Sequence, residues 1–324
     1  MNLIILTTAI TRGDFHKKSL GKFYDLYYPF LSCFNIYHII NLDHPYKLKD
    51  IFSKQYTIDL VYSIIPKEVN IDIIDNENPG FLNAYKNVVI RANKYIHKNN
   101  EQEHLIWWLE DDWDIHHFNE HLFKIIQLFP QKIPYAFNSV QNSPLGSFRG
   151  GPIMNTLYFK HYFDIASNNI ANDTCDPEKQ VGRWISGINR VNGNKKIHRN
   201  IEEDNIIHII YFYYDHCKIN VHEIPTWYYS NPSKYNKNIL FKYHAIKSLD
   251  NPLNLFQYGE VDIHKKTIIF TPKSMSDILN ILNKDKGIHY VCIKPWILSD
   301  IGRAFNKELG LNKWSSIHDG TSYV

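Results

Sequence analysis

A run rich in carboxylates directly follows the apolar segment 104–109 of this 324-residue chain. It reads Glu110-Asp111-Asp112-Trp113-Asp114. Side chains alternate along an extended segment, so Glu110, Asp112 and Asp114 are expected on one side and Asp111 on the other. Carboxylates this close repel one another and raise each other's pKa unless a cation or hydrogen-bond donors compensate.

A hard divalent cation is one way to compensate these charges. Proteins hold Mg²⁺ and Mn²⁺ through one or two carboxylates together with substrate phosphates. The alternative is a solvated acidic turn, which is the usual role of a charge run. Trp107, Trp108 and Trp113 argue against simple exposure, so the pattern favours a site for a metal and a diphosphate.

The elements around the acidic run alternate between strands and helices. Short apolar runs predict strands at residues 3–6, 36–42, 60–65 and 104–109. Helical patterns lie between them, at 20–34 and after Pro79-Gly80. This alternation predicts a mostly parallel sheet with helices on both faces. Ligands of such sheets bind outside the carboxyl ends of strands, which is where the acidic run lies.

The second half of the chain is less regular. Strands are predicted at residues 135–140, 206–214, 219–224, 267–270 and 289–293. A helix is predicted over 274–282, inside a tail that begins at residue 246.

Composition and charge exclude several classes of protein. The chain is 44% hydrophobic and 21% charged, which excludes general disorder. It carries 36 basic and 33 acidic residues, a net charge of +3, too weak for a dedicated nucleic-acid binder. The four cysteines form no CxxC pair, so we expect a reducing compartment and a cytoplasmic location. No apolar run predicts a transmembrane segment, and the first residues lack the features of a signal peptide.

The apolar strand that ends in Glu-Asp-Asp, after a series of alternating β and α units, resembles the DxD-type motif of GT-A-fold glycosyltransferases. The resemblance implies an α/β, GT-A-like (Rossmann-like) fold with a mostly parallel central sheet, helices on both faces and a small C-terminal α+β extension. It also implies a nucleotide-sugar donor, a glycan or other hydroxyl-bearing acceptor, and Mn²⁺ or Mg²⁺ as cofactor.

The resemblance assigns residues to the metal. Asp112 matches the metal-binding last position of the motif, Glu110 the ribose-side first position and Asp111 the middle position. We predict Asp112, Asp114 and His244 as metal ligands, although Asp114 has no counterpart in the motif. A late histidine serves many such enzymes, and His222 is as well placed in the sequence as His244.

Further residues are predicted to contact the donor. The loop after the first strand is expected to cradle the nucleotide, the carboxylate after the second strand to meet the base or ribose, and the helix after Gly80 to face the diphosphate. A loop with two adjacent glycines allows a close backbone approach, although an ordinary turn fits its spacing equally well. The donor-binding residues are predicted to be Thr8, Arg12, Asp43, Asn83, Lys86, Glu110, Asp111, Gly150 and Gly151.

A carboxylate in the second half is expected to take the proton of the acceptor hydroxyl. Asp176 or Glu178 is our candidate for this catalytic base, with residues 202–204 (Glu-Glu-Asp) in reserve. The alternative for Asp176 and Glu178 is helix capping, because an acidic residue beside proline at a helix start favours the dipole without any catalytic role.

The resemblance divides the chain at residue 245. Residues 1–245 are predicted to form the catalytic domain, with 1–115 as the nucleotide-binding half and 116–245 as the acceptor half. Residues 246–324 form an extension of unknown role. Two other functions stay open, namely a non-catalytic sugar- or nucleotide-binding protein of the same fold and a metal-dependent phosphoryl-transfer enzyme. The near-neutral charge argues against nucleic acid as a partner, although a modified base stays open as an acceptor.

Overall fold

The structure is a computed structural model divided into two compact units. It describes residues 1–44, 51–76, 79–115, 120–138, 153–168, 181, 206–215, 217, 239–249, 255–262, 264–294 and 298–300. The first unit comprises Met1–Phe118, Tyr162–Pro177 and Ile297–Val324, and the second comprises Asn119–His161 and Glu178–Trp296.

The first unit is built from strands and helices in alternation. Its strands are β1 (Asn2–Ile10), β2 (Asn35–Asp43), β3 (Asn70–Asp75), β4 (His104–Trp108), β5 (Trp113–Ile115) and β14 (Leu298–Asp300). Its helices are α1 (Lys22–Leu31), preceded by a π-helical turn (Lys17–Gly21), then α2 (Lys54–Ile64) and α3 (Phe81–Lys98). A further helix, α5 (Thr156–Ser167), runs from the second unit into the first.

Four strands of this unit form a parallel sheet in the order β4-β1-β2-β3. In β1, Ile10 lies opposite Asp43 at the end of β2, and Leu6 lies opposite Trp108 at the end of β4. The carboxyl ends of the three strands therefore meet at one edge of the sheet.

Helices cover both faces of this parallel sheet. Successive side chains of a strand point to opposite faces, so Trp107 and Trp108 of β4 mark the two sides. Trp107 packs edge-to-face against Phe23 of α1, with ring centroids 5.0 Å apart. Trp108 packs against Tyr85 of α3 at 5.8 Å. The predicted parallel α/β arrangement is confirmed for this unit.

The strand predicted at residues 60–65 is wrong, because these residues lie in and just after helix α2. Ser53 caps the helix by accepting a hydrogen bond from the Tyr56 amide at 3.2 Å. The buried residues of α2 are Thr57, Leu60 and Val61, which is helical spacing. The third strand is β3, farther along the chain.

In its described residues, the second unit has seven strands in one sheet and two helices of its own. These strands are β6 (Tyr135–Asn138), β7 (Ile153–Asn155), β8 (Ile206–Tyr214), β9 (Leu240–Ser248), β10 (Phe256–Asp262), β11 (Thr267–Ile268) and β13 (Ile288–Lys294), and a short strand β12 (Thr271–Lys273) pairs with β10. The helices are α4 (Glu120–Leu128) and α6 (Met275–Asn283).

The sheet of the second unit is mixed, in the order β7-β6-β13-β8-β9-β10-β11. The pairs β6–β13, β13–β8 and β8–β9 are parallel, whereas β6–β7, β9–β10 and β10–β11 are antiparallel. The expectation of a mostly parallel sheet is therefore corrected for this unit. The physical reason is short connections such as the one from β9 to β10, which allow only antiparallel neighbours.

Residues beyond 245 are part of this sheet. The predicted domain boundary lies inside β9, and β13 pairs between β6 and β8. The division into a catalytic domain and an extension stays a prediction about function.

A buried histidine joins three elements of the first unit. The imidazole of His38 in β2 bonds to Thr7 Oγ1 of β1 at 2.9 Å and to Tyr24 OH of α1 at 2.8 Å. Burial lowers the pKa of His38 to about 3. The folded protein therefore holds this side chain neutral.

His38 is expected to make the free energy of unfolding depend on acid pH. The unfolded chain protonates it below its ordinary pKa of 6.5, whereas the folded state does so only near 3. Its contribution is full above pH 6.5 and is lost as the pH falls toward 3, by up to about 1.4 kcal/mol per pH unit. Urea unfolding between pH 4 and 7 should show a shallower slope for His38→Gln than for the wild type.

The exposed His264 offers the matched control for that experiment. His264→Gln should keep the wild-type slope. Equal slopes for His38→Gln and the wild type would contradict the buried neutral imidazole.

Candidate functional site

The candidate site lies at the carboxyl ends of β1, β2 and β4. The Leu109 amide donates to the Leu6 carbonyl at 2.9 Å, and the Thr11 amide donates to the Asp43 carbonyl at 3.0 Å. These bonds continue the strand pairing beyond the strands. They bring the loop after β1 and the acidic run after β4 together in space.

Arg12 lies against two carboxylates of the acidic run. Its Nε is 3.2 Å from Asp111 Oδ2, and its terminal nitrogens are both 3.4 Å from Asp112 Oδ2. Exposed fractions are 5% for Arg12, 2% for Asp111 and 4% for Asp112. Asp111 also accepts a hydrogen bond from the Ile10 amide at 3.1 Å. The sequence placed Arg12 and the acidic run in separate loops, and the fold brings them into one buried ion cluster.

The electrostatics of this cluster are set by burial. Burial raises the pKa of Asp111 and of Asp112, and the positive charge of Arg12 offsets part of that rise. For Arg12, burial acts to lower the pKa, but the carboxylates of Asp111 and Asp112 raise it overall. One guanidinium thus faces two carboxyl groups, and the cluster has an excess of acidic groups.

Glu110 lies beside this cluster and is bound on both oxygens. Its Oε2 accepts a hydrogen bond from Thr8 Oγ1 at 2.5 Å, and its Oε1 accepts one from Trp108 Nε1. The side chain is half-buried. Two predicted donor-binding residues, Thr8 and Glu110, are therefore in direct contact.

Asp43 is held at the end of β2 by three donors. Its Oδ1 accepts from Asn41 Nδ2 at 2.8 Å and from Asn76 Nδ2 at 2.9 Å, and its Oδ2 accepts from the Gly80 amide at 2.7 Å. Burial raises the pKa of Asp43 to about 6, although the three donors act against that rise. The negative charge of Asp111 contributes to the rise.

Gly80 lets α3 begin at this carboxylate. Its φ of +151° lies in the region that favours glycine, and it precedes the first helical residue, Phe81. The predicted residues Asn83 and Lys86 lie in the first two turns of α3, Asn83 exposed and Lys86 half-buried. Both residues therefore lie near the amino end of α3, next to Gly80, whose amide donates to Asp43.

Three residues of the site were missed by sequence reasoning. Asn41 and Asn76 orient Asp43, and the polar Asn41 near the end of a mainly apolar strand was an available signal. His16 Nε2 bonds to the Ile10 carbonyl at 3.0 Å and steadies the loop that carries Arg12. Burial and then the charge of Arg12 lower the pKa of His16 to about 3. No local pattern indicated that contact.

Two predicted metal ligands are bound to other side chains. Asp114 Oδ1 accepts a hydrogen bond from Lys22 Nζ at 2.6 Å, and both side chains are partly exposed. His244 is buried in the second unit, where its Nε2 is 2.8 Å from His208 Nδ1 and its Nδ1 is 2.9 Å from Tyr258 OH. Both imidazole nitrogens of His244 are thus already bonded.

The remaining predicted residues lie outside the part of the chain that the structure describes. They are Gly150, Gly151, the candidate bases Asp176 and Glu178, the reserve carboxylates Glu202, Glu203 and Asp204, and His222.

The donor set of the site decides whether a divalent metal fits it. Carboxylate oxygens suit Mn²⁺ and Mg²⁺ chemically. However, Asp111 and Asp112 face the guanidinium of Arg12, and Asp114 faces Lys22. Within the described ranges, no group of three or more His, Cys, Asp or Glu side chains is arranged to hold a metal. In this arrangement the described residues do not fit a metal centre.

Comparisons with known proteins give a limited result. No protein-family model and no curated protein matches the chain. Among solved structures, a glycosyltransferase involved in the glycosylation of the major capsid of PBCV-1 is similar over 64% of this chain and 86% of its own, with 13% identity and a TM-score of 0.32. Core-mannan synthase A from Aspergillus fumigatus, in its Mn/GDP form, is similar over 57% of this chain and 67% of its own, with 10% identity and a TM-score of 0.28. Similarity at this level assigns no chemistry to this chain.

Removing Arg12 is expected to destabilise the fold strongly. Arg12→Met leaves two buried carboxylates without a counter-charge, which we expect to lower the free energy of unfolding by about 3–5 kcal/mol. Urea unfolding at pH 7 measures this loss. The triple variant Arg12→Met, Asp111→Asn, Asp112→Asn should recover most of it, because no uncompensated charge is left.

The ion pair of Lys22 and Asp114 is the control, because it is partly exposed. Lys22→Met should change the free energy of unfolding by less than about 1 kcal/mol. A similar small effect for Arg12→Met would contradict the buried cluster.

Asp43 is expected to titrate near pH 6 in the folded protein. Carboxyl ¹³C NMR should show this resonance, and Asp43→Asn should remove it. Because the folded pKa is raised from 3.8 to about 6, the contribution of Asp43 to stability is full below pH 3.8 and is lost as the pH rises to about 6. A midpoint at or below pH 4 would contradict the burial of this carboxylate.

Proposed function

We propose that this chain is a glycosyltransferase that moves a sugar from a nucleotide-sugar donor to a hydroxyl group of a glycan or another acceptor. The observation that supports the proposal is the convergence of Arg12, Asp43 and Glu110 at the carboxyl ends of three neighbouring parallel strands. In open α/β sheets this edge is where nucleotides bind. The resemblance of the acidic run to the DxD-type motif points in the same direction.

Each side chain has a role in the proposal that matches its chemistry. Arg12 offers a guanidinium, which recognises phosphate oxygens through paired N–H groups. Asp43 and Glu110 offer carboxylate oxygens that accept hydrogen bonds from ribose hydroxyls or a base. Asn83 and Lys86 extend the donor contacts along the first turns of α3, where backbone amides favour a diphosphate.

The chemical step needs a base for the acceptor hydroxyl. That role stays with Asp176 or Glu178 as a prediction. A pocket of preorganised charges for the leaving diphosphate would make catalysis mainly electrostatic. Arg12 and Lys86 carry the positive charge that this role needs.

Dependence on Mn²⁺ or Mg²⁺ is a separate part of the proposal. It rests on the resemblance of the acidic run to the DxD-type motif, because Asp112 and Asp114 face Arg12 and Lys22 and the described residues, as arranged, do not fit a metal centre. Asp114 and His244 stay predictions as further ligands. A cytoplasmic location stays a prediction as well. None of the helices in the described part of the chain combines the length and apolar character needed to span a membrane.

Donor turnover tests the proposal. Purified protein is incubated with a panel of uridine, guanosine and cytidine nucleotide sugars, with Mn²⁺ or with a chelator, and the released nucleotide is measured. We expect one donor to bind and to be hydrolysed or transferred. Glu110→Gln should weaken binding of that donor about 10- to 100-fold, the value of a charge-assisted hydrogen bond.

The matched control is Glu103→Gln, which removes an exposed carboxylate at the opposite end of β4. It should leave donor binding unchanged. Binding without nucleotide release, with varied acceptors, would instead favour the non-catalytic binding protein. Binding of none of the donors by the wild type would contradict the proposal.

A further inference from the structure

The second unit contains a cavity of about 810 Å³. It lies at the carboxyl ends of β8 and β9, where Tyr214 and Ser248 are paired neighbours. The C-terminal turn of α4 and the first turn of α6 complete its lining. Its volume falls within the range of ordinary small-molecule sites, and the ends of parallel strands are a common place for them.

The walls of this cavity are mostly apolar. Phe212 and Phe256 meet there edge-to-face, with ring centroids 6.2 Å apart. Leu128 and Leu255 line the same cavity and are 38% and 45% exposed. These two side chains therefore expose apolar surface within one concavity, whereas exposed hydrophobic residues are ordinarily scattered singly. The walls are suited to a chain of methylene groups.

The polar rim of the cavity carries one charge of each sign. Ser274 caps α6 by accepting from the Asp277 amide at 3.1 Å, and its hydroxyl donates to Asp277 Oδ2 at 2.6 Å. The carboxylate of Asp277 therefore occupies the amino end of the helix, where an anionic ligand would otherwise bind. Lys273 supplies the positive charge beside it.

This balance of charges selects the ligand. Lys273 and Asp277 carry opposite charges, so the rim offers a charged head group no net attraction to offset the cost of removing it from water. Gln127 and Ser248, which also line the cavity, can each donate and accept hydrogen bonds. Hydroxyl groups of a ligand need partners of both kinds.

We propose that the cavity binds an uncharged amphiphile, with its aliphatic chain against Leu128, Leu255 and the two phenylalanine rings and its hydroxylated head group at the rim. The proposal does not depend on glycosyl transfer, because binding requires no sugar donor.

Calorimetric titration without any nucleotide tests this site. The probe is octyl glucoside below its micelle concentration, compared with octanoate, octyltrimethylammonium and free glucose. We expect saturable binding of octyl glucoside to a single site, and binding at least about 10-fold weaker for the three other probes, each of which lacks the chain or carries a charge.

Blocking variants locate the site. Leu128→Arg and Leu255→Arg place a charge on the apolar wall at positions already open to solvent, so the fold should tolerate them. Each should weaken binding at least about 10-fold. Ile269→Arg is the control, because Ile269 is 80% exposed and does not line the cavity. Circular-dichroism melting curves verify that the three variants are folded.

Four results would overturn the proposal. They are the absence of saturable octyl glucoside binding, equal or tighter binding of either charged amphiphile, equal binding of free glucose, and wild-type binding by both blocking variants. Because the titration contains no nucleotide sugar, its outcome is distinct from the donor-turnover result.

Discussion

Two carboxylates buried at the carboxyl ends of a parallel sheet are the constraint on which the candidate site depends. Asp111 and Asp112 are each less than 5% exposed, and a buried charge without a partner is strongly destabilising. The loop after β1 must therefore bring Arg12 back over the sheet edge. His16 holds that loop through the Ile10 carbonyl, and the Ile10 amide in turn binds Asp111. The same set of contacts therefore compensates the buried charges and fixes the path of the loop after β1.

The same constraint shapes what the site can bind. Arg12 is the positive charge among several carboxyl groups, and its two partners compete with any phosphate for its N–H groups. A ligand that binds here must supply hydrogen-bond donors to Asp43 and Glu110. Their oxygens become accessible to ribose-like hydroxyls only if the present donors rearrange. The ligand that we propose, a nucleotide sugar, offers both hydroxyls and phosphates, whereas a bare anion offers no hydroxyl to these carboxylates.

The local features of this fold could be predicted from the sequence, whereas the contacts between residues far apart in the chain could not. Short-range patterns predicted β4, its acidic end and α3. Each can be recognised in the sequence without knowing which distant residues it contacts. Residues 60–64 belong to helix α2, although the apolar pair Leu60 and Val61 suits a strand equally well. The local signal that favours the helix is the Ser53 cap, which lies outside the apolar run. The ion pair of Arg12 with Asp111 joins residues far apart in sequence, and no local pattern encodes it. The antiparallel strand pairs of the second unit were missed as well, because they depend on the lengths of the connections between strands.

Hydrogen–deuterium exchange with a saturating nucleoside diphosphate tests the central claim, that the strand ends of the first unit are the nucleotide site. The account predicts slower amide exchange after β1 (residues 8–16), at the start of α3 (79–84) and after β4 (109–114). Exchange at residues 271–283, beside the cavity of the second unit, should not change. Nucleotide binding that protects residues 271–283, and leaves the three strand-end segments unchanged, would contradict it.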